Sequence, residues 1–351
     1  MSDLIEIDGS FGEGGGQILR TSLSLAAITG QAVRITNIRA GRPKPGLAAQ
    51  HLTAVRAVAE ICNGTVSGDE IGSQVVEFRP GSVRAGDHKF DVAAERGSAG
   101  ATSLVLQTIL PPLAFAEAAS RVTVLGGTNV PWSPCFEYLL HVFAPCLARM
   151  GVRISLERPR AGFYPHGGGA VVATVQPTRN LGPLHAEHRG RLEEIIIHSV
   201  VSSHLPQHIG PRQIKSCRAA IGEAGRGARV REVDEHVPSG GPGTCVVAAA
   251  VFEHGWAGRS SIGERGKPAE KVGAEAGREL GEFLRGSAAL DERLSDQVLL
   301  WAAMAVGQSR WTTPEITTHL ETNAHVISRF LDVSITWEQV GRAWLVTVQP
   351  R

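Results

Sequence analysis

A pattern of helix and strand segments that returns three times constrains the fold of this chain more than any other feature. Three β-rich runs end in proline, at Pro80, Pro177 and Pro350. Proline cannot donate to a continuing β-ladder, so each run ends there. Two helical patterns and short β-branched stretches precede each run, which predicts a repeated unit of helix, strand, helix, strand, strand. The predicted helices span residues 17–27 and 47–61, 102–118 and 136–150, and 297–306 and 316–331.

The spacing of the repeats predicts an interruption. Every α/β domain alternates such elements, so short apolar patterns can also resemble one another by chance. The interval from Pro177 to Pro350 is about 76 residues longer than the interval from Pro80 to Pro177, which indicates an insertion in the third unit. We therefore expect an α/β (α+β) protein whose large domain comprises residues 1–184 and 290–351. Residues 185–289 are expected to form a smaller inserted α/β domain, with strands at 192–201 and 244–252 and helices at 212–224 and 269–284.

Composition excludes several classes of protein. The chain has 351 residues and a net charge of +1, with 35 basic and 34 acidic side chains, so it is no polycation that coats nucleic acid. Any nucleic-acid contact must be local. Its five cysteines form no CxxC pair, no apolar run approaches a membrane span, and acidic residues near the start disfavour a signal peptide. We expect a cytoplasmic protein that does not enter a membrane.

Two glycine-rich or basic segments are candidate anion sites. Three glycines in EGGGQILR, residues 13–20, precede an apolar helix, and unhindered amides at a helix start can bind phosphate while Glu13 holds a cation. A tight strand-to-helix turn is the alternative. Residues 39–46 place three cations in a proline-rigid turn before Gln50 and His51, which suits a polyphosphate or an RNA end, although solvated turn charges give the same pattern. The glycines of GFYPHGGG alone would indicate only a hairpin loop.

Histidine is the candidate nucleophile that the composition offers, but thirteen histidines give no choice among them. His185 and His188 have a spacing found at metal sites, yet no third ligand lies near them in the sequence. Solvated surface residues explain them better, and no zinc signature is present.

The chain resembles the RNA 3'-terminal phosphate cyclase family. The resemblance covers essentially the whole sequence, in the order EGGGQILR, IRAGRPKPGLAAQHLTA, SAGATSLVLQT, GGTNVPWSP, GFYPHGGG, LSDQ and THLETNAHVISRFL. It implies a large domain of three βαβαββ-type repeats, similar to the C-terminal domain of translation initiation factor 3, and one smaller inserted domain. The three units and single interruption counted above agree with this.

The resemblance also implies a reaction. A histidine attacks the α-phosphate of ATP, the enzyme-adenylate passes AMP to an RNA 3'-phosphate, and the neighbouring 2'-hydroxyl then closes a 2',3'-cyclic phosphate and releases AMP. Capping with AMP gives the terminal phosphate a good leaving group, and covalent catalysis divides one hard displacement into easier steps. The implied cofactors are ATP and Mg²⁺ or Mn²⁺, and the implied partner is an RNA with a 3'-terminal phosphate.

The resemblance assigns residues to three roles. The nucleophile falls on His319 in THLETN, and the metal carboxylate on Glu13. The nucleotide contacts and the phosphate contacts are larger sets. The implied nucleotide-binding residues are Gln107, Pro134, Tyr138, Arg293, Asp296 and Gln297, and the implied phosphate-binding residues are Arg20, Arg39, Arg42, Gln50 and His51.

Two departures and two other functions accompany this assignment. Arg293 stands where relatives can place a tyrosine for adenine stacking, and a guanidinium plane can also stack on a base. Ala161 stands where a basic residue is common.

Cyclase-like ribosome-assembly factors share the fold but lack the histidine, so His319 favours the enzyme. An enolpyruvyl-transferase-like enzyme would instead have two comparable repeat-built domains. The physiological RNA, the use of DNA ends, the role of the insert and the oligomeric state stay open.

Overall fold

The fold is described from a computed structural model, which covers residues 4–94 and 99–351. Ser98, which opens the SAGATSLVLQT motif, lies outside the described residues. The described chain forms four four-stranded sheets and the helices that cover them. No helix in the described ranges is both long and apolar enough to cross a bilayer.

The first repeat has the order strand, helix, strand, helix, strand, strand. Its elements are β1 (Ile5–Asp8), α1 (Gly16–Thr29), β2 (Val33–Thr36), α2 (Ala49–Cys62), β3 (Thr65–Ser67) and β4 (Val76–Arg79). The sheet order is β1-β2-β4-β3, with β1 parallel to β2 and the other pairs antiparallel. A parallel pair needs a crossover connection, which α1 supplies.

The second repeat reproduces this topology, with sheet order β5-β6-β8-β7 and β5 parallel to β6. Its second helix contains one π-helical stretch, Leu139–Phe143, between two α-helical parts. The elements are β5 (Asp87–Asp91), α3 (Thr102–Ala114), β6 (Ser120–Gly126), α4 (Phe136–Tyr138), α5 (Ala144–Arg149), β7 (Ile154–Arg160) and β8 (Gly169–Val175).

The inserted segment follows a two-residue strand, β9 (His185–Ala186), and has its own sheet and its own buried apolar cluster. Its elements are β10 (Leu192–Ser202), α6 (Ile209–Ile221), β11 (Arg229–Val237), β12 (Thr244–Phe252), β13 (Trp256–Ile262) and α7 (Ala269–Arg285). The sheet order is β11-β10-β12-β13, and α6 packs against α7.

The third repeat resumes after the insertion and completes the pattern. Its remaining elements are α8 (Glu292–Ala303), β14 (Ser309–Thr313), α9 (Thr318–Phe330), β15 (Val333–Val340) and β16 (Ala343–Pro350). β9 pairs with β14 in parallel, so the sheet order β9-β14-β16-β15 matches the other two repeats. The predicted α/β class with three βαβαββ repeats is confirmed. The division at residues 184 and 290 stays a prediction, and the pairing adds that His185 and Ala186 contribute to the third-repeat sheet.

The three repeats share one apolar core. Leu23 of α1, Ile109 of α3 and Leu299 of α8 are buried in the same cluster. Helix α1 packs against both α9 and α3, and α8 packs against α9. This packing brings the start of the first repeat against the second helix of the third repeat, where the candidate site lies.

Candidate active site

His319 and Glu13 meet although 306 positions separate them in the sequence. His319 lies in the first turn of α9, which begins after Thr317, whose hydroxyl accepts a hydrogen bond of 2.9 Å from the backbone N–H of Leu320. This cap fixes the helix start. Nδ1 of His319 lies 2.8 Å from Oε2 of Glu13, so the predicted nucleophile and the predicted metal carboxylate are neighbours.

Glycines allow the segment that carries Glu13 to lie this close to α9 and α2. Gly12 has φ of +62°, and a Cβ there would lie 2.3 Å from the hydroxyl oxygen of Thr322 on α9. A Cβ on Gly16, the first residue of α1, would lie 2.3 Å from Nε2 of His51. The glycine motif therefore serves close packing as well as leaving the first amides of α1 unobstructed.

Three of the predicted phosphate-binding residues surround this start of α1. Arg42 pairs with Oε1 of Glu13. Burial lowers the pKa of Arg20 to about 10, which leaves the guanidinium charged at neutral pH. Burial, followed by the charges of Arg20, Arg39 and Arg42, lowers the pKa of His51 to about 3, so His51 is neutral. The cluster offers fixed positive charge and a neutral imidazole to an anion.

Two other predicted phosphate residues also hold loops in place. The guanidinium of Arg39 donates from Nη1 to the carbonyl oxygens of Lys44 (3.0 Å) and Gly46 (2.7 Å). Oε1 of Gln50 accepts a hydrogen bond of 3.1 Å from the backbone N–H of Ala101. Arg39 thus stabilises the basic turn, and Gln50 ties α2 to the start of α3.

A small pocket with polar and apolar walls lies between the first helices of all three repeats and α9, and the charges of two of its lining residues, Arg20 and Asp296, act on His319. Gln107 of α3 donates from Nε2 to Oε1 of Gln297 of α8 over 2.9 Å. Polar side chains from these four helices form part of the pocket lining. They include Gln17, Arg20, Thr21, Ser24, Gln107, Asp296, Gln297 and Asn323.

The titratable groups of the pocket have shifted pKa values. Burial raises the pKa of Asp296 to about 7, although Thr317 Oγ1 donates a hydrogen bond of 2.6 Å to its Oδ1. Burial also lowers the pKa of His319, and the charges of Arg20 and Arg42 lower it further, against an opposing effect of Asp296. His319 is therefore a neutral imidazole near neutral pH, as a nucleophile must be.

Three of the predicted nucleotide residues do not line this pocket. The hydroxyl of Tyr138 is buried and donates to Asp291, with both carboxylate oxygens at 3.0 Å, and burial raises its pKa well above the ordinary value. Asp291 caps α8 by accepting from the N–H groups of Arg293 and Leu294. Pro134 belongs to the loop before α4, and the Arg293 side chain is about half exposed, at 53%. Tyr138 thus supports the helix that carries Asp296 and Gln297.

Sequence reasoning missed three polar residues of the site. Nε2 of Gln17 donates to Oδ1 of Asn323 over 2.9 Å, and Nδ2 of Asn323 donates to the carbonyl oxygen of Asp296 over 3.0 Å. Thr317 is the third. A threonine directly before an amphipathic helical pattern is a typical N-cap and was the available signal, whereas nothing in the local sequence distinguishes Gln17 or Asn323.

The donor set at Glu13 fits one kind of metal site. Within residues 4–94 and 99–351 no group of three or more His, Cys, Asp or Glu side chains could hold an ion by itself. Oε2 of Glu13 is buried and lies 2.8 Å from Nδ1 of His319, but it accepts no hydrogen bond from the described residues. A single buried carboxylate fits Mg²⁺, which commonly takes one or two carboxylates and completes its shell with substrate phosphates and water.

Comparison with known proteins identifies similar chains. The family model described as RNA 3'-terminal phosphate cyclase matches residues 11–337. The RNA 3'-terminal phosphate cyclase of Methylococcus capsulatus is 50% identical over 331 residues, 93% of this chain and 91% of that protein. The protein of that name from Archaeoglobus fulgidus is 45% identical over 336 residues, 95% and 98% of the two chains. That of Ralstonia nicotianae is 45% identical over 346 residues, 98% and 96%.

Proposed function

Because the chain belongs to the RNA 3'-terminal phosphate cyclase family, we propose that it converts the 3'-terminal phosphate of an RNA into a 2',3'-cyclic phosphate, with ATP as the activating nucleotide. The observation that carries this proposal is the position of His319. Its imidazole lies against Glu13, beside a polar pocket and next to the arginines at the start of α1. A nucleophile, a phosphate cluster and a pocket thus adjoin one another.

In the first step, His319 attacks the α-phosphorus of ATP. The neutral imidazole attacks through the lone pair of one ring nitrogen while the other ring nitrogen carries the proton. The new N–P bond forms as the bond from phosphorus to the bridging oxygen breaks, and pyrophosphate leaves. Arg20 and Arg42 place positive charge where the transferring phosphoryl group develops negative charge.

In the second and third steps, AMP passes from His319 to the RNA and is then displaced. An oxygen of the RNA 3'-phosphate attacks the adenylate phosphorus, the N–P bond breaks, and the neutral imidazole is restored. The 2'-hydroxyl then attacks the 3'-phosphorus, loses its proton, and AMP leaves with the bridging oxygen. We assign Arg20, Arg39, Arg42 and His51 to the phosphate groups, and Gln50 to placing the segment at Ala101 beside them.

Glu13 would hold the divalent cation, Mg²⁺ or Mn²⁺, through Oε2, which accepts no hydrogen bond from the described residues. A bound cation would neutralise phosphate charge and so favour attack on the α-phosphorus. We assign Gln107, Asp296 and Gln297 to direct contacts with the nucleotide, because they line the pocket. Pro134, Tyr138 and Arg293 then act from its surroundings, with Tyr138 holding Asp291 at the start of α8.

The test is covalent labelling without RNA. Wild-type protein incubated with divalent metal and ATP labelled at the α-phosphate should retain label in a bond that is stable to alkali and lost in acid, as expected of a phosphoramidate. His319→Asn should remain folded and take up no label. His325→Asn is the matched control, because His325 lies on the same helix and stacks on Phe11 at 3.9 Å; it should label normally.

The alternative outcomes separate the candidate functions. Labelling that survives in His319→Asn would mean that another residue carries the nucleotide, and His51 would be tested next. A wild-type protein that binds RNA but neither takes up label nor cyclises an RNA 3'-phosphate would be a binding factor of the ribosome-assembly kind.

A further inference from the structure

Trp132 is the most exposed large apolar side chain in the described part of the chain. Its exposure is 99%, and it lies in the loop that connects β6 to α4. Its φ of +63° is a left-handed conformation that is unfavourable for any residue with a side chain. Neither core packing nor backbone preference accounts for a tryptophan at this position, and such outliers often mark functional positions.

Trp132 belongs to a surface formed by three adjoining loops, residues 128–133, 162–168 and 238–243, which we name the three-loop surface. The backbone N–H groups of Thr128 and Asn129 donate to the carbonyl oxygen of Gly162 over 2.8 and 3.1 Å. The third loop packs on the second, since a Cβ on Gly243 would lie 2.2 Å from the ring of Phe163. The surface therefore joins the second repeat to the insert.

The chemistry of this surface suits unpaired nucleotides. Tyr164, in the second loop, is 64% exposed and gives a second free aromatic face. The three loops contain no Asp or Glu, and the exposed Arg160 donates to the carbonyl oxygen of Ser239. Aromatic faces on loops without acidic side chains are typical of surfaces that stack the bases of single-stranded nucleic acid.

Packed residues connect the three-loop surface to the phosphate cluster. Val130, two residues before Trp132, packs in one apolar cluster with Ala101 and Leu104 at the start of α3. The N–H of Ala101 in turn donates to Gln50 of α2, one residue before His51. One layer of packed residues thus leads from the phosphate cluster to Trp132.

We propose that Trp132 and Tyr164 stack the bases of nucleotides upstream of the RNA 3' end and so hold single-stranded RNA across the three-loop surface. The proposal rests on the proposed function, because the 3'-phosphate fixes the direction in which the strand leaves the site. It predicts that the protein engages longer single strands better than minimal substrates.

The test compares a decanucleotide and a dinucleotide, both with a 3'-phosphate, in steady-state cyclisation. Trp132→Gly removes the ring and relieves the left-handed backbone, so its melting temperature should equal or exceed that of the wild type. Its KM for the decanucleotide should rise about tenfold, with kcat, the KM for the dinucleotide and covalent labelling by ATP unchanged.

Trp132→Phe should recover most of the affinity for the decanucleotide, and Tyr164→Leu should weaken that affinity in the same length-dependent way. Val306→Ala, at an apolar side chain that is 76% exposed elsewhere, is the matched control.

Fluorescence gives an independent readout. Trp256, Trp301 and Trp311 are buried and Trp337 and Trp344 are half-buried on β15 and β16, whereas Trp132 is fully exposed. A 3'-hydroxyl decanucleotide, which cannot react, should therefore quench mainly the emission that Trp132→Phe lacks. Equal KM values for wild type and Trp132→Gly on the decanucleotide, with the same quenching in Trp132→Phe, would overturn the proposal while labelling and cyclisation stay intact. Loss of labelling in the wild type would instead refute the proposed function.

Discussion

Asp296→Asn should make the protein more stable above neutral pH and leave its stability near pH 4 almost unchanged. Burial raises the pKa of Asp296 from 3.8 to about 7 in the folded protein. Between these values the folded state holds a proton that the unfolded state has released, so stability falls as the pH rises through this window. Above pH 7 the buried carboxylate is ionised, and the full free-energy cost of burying its charge destabilises the folded protein.

The size of the effect follows from the shift. About three pKa units at about 1.4 kcal/mol each give a destabilisation of roughly 4 kcal/mol above pH 7. Asparagine cannot ionise, and its side-chain oxygen can still accept the hydrogen bond from Thr317. The melting temperature of Asp296→Asn should therefore exceed that of the wild type by about 5 °C at pH 8, and by little at pH 4.

Thermal unfolding of both proteins across this pH range measures the difference directly. Asp332→Asn is the control, because Asp332 is 76% exposed and its removal should add no comparable pH dependence. If the difference in melting temperature between the two proteins were the same at every pH, the conclusion that ionised Asp296 destabilises the folded protein would be refuted.

Substitution of the other charged groups of the site should give distinguishable losses. Glu13→Gln should lower the rate of covalent labelling at least about tenfold without loss of folding; unchanged labelling at saturating metal would refute its role. Arg42→Ala should weaken binding of RNA with a 3'-phosphate more than binding of RNA with a 3'-hydroxyl. If the two affinities fell equally and depended on salt concentration in the same way, Arg42 would contribute only general electrostatic attraction to RNA. Arg39→Ala should also lower the melting temperature, because its guanidinium holds two loop carbonyls, and thermal unfolding beside the binding assay separates the two effects.

Strong patterns in the sequence predicted most of the fold. The long apolar helices and the proline-terminated strands located the three repeats, and the excess spacing located the insertion. β11, β13 and β14 (Ser309–Thr313) were not located. β11 (RVREVDEHV) is a charged strand at the edge of the insert sheet, and β13 contains small and polar residues, so neither shows the apolar pattern of a buried strand. The opening strand of each repeat came only from the family resemblance, because β1, β5 and β9 are short or charged.

The site was less predictable because its contacts are long-range. No local pattern distinguishes His319 among thirteen histidines, and the resemblance supplied it. The same resemblance could not show that Arg39 bonds loop carbonyls or that the Tyr138 hydroxyl is bound to Asp291, since these contacts depend on how the repeats and the insert pack. The sequence motifs therefore predicted which residue types lie at the site, whereas the residues that they contact are determined by how the repeats and the insert pack.

The pairing of Glu13 with His319 makes this site a late product of translation. At about 5–20 residues per second, roughly 15–60 s separate the synthesis of these two residues. Throughout that interval the first repeat lacks the helix on which its glycine loop rests, since Gly12 lies against Thr322. A ribosome that stalls before the third repeat would therefore release a chain that contains Arg39 and Arg42 but lacks α9, and with it both His319 and the surface against which Glu13 lies.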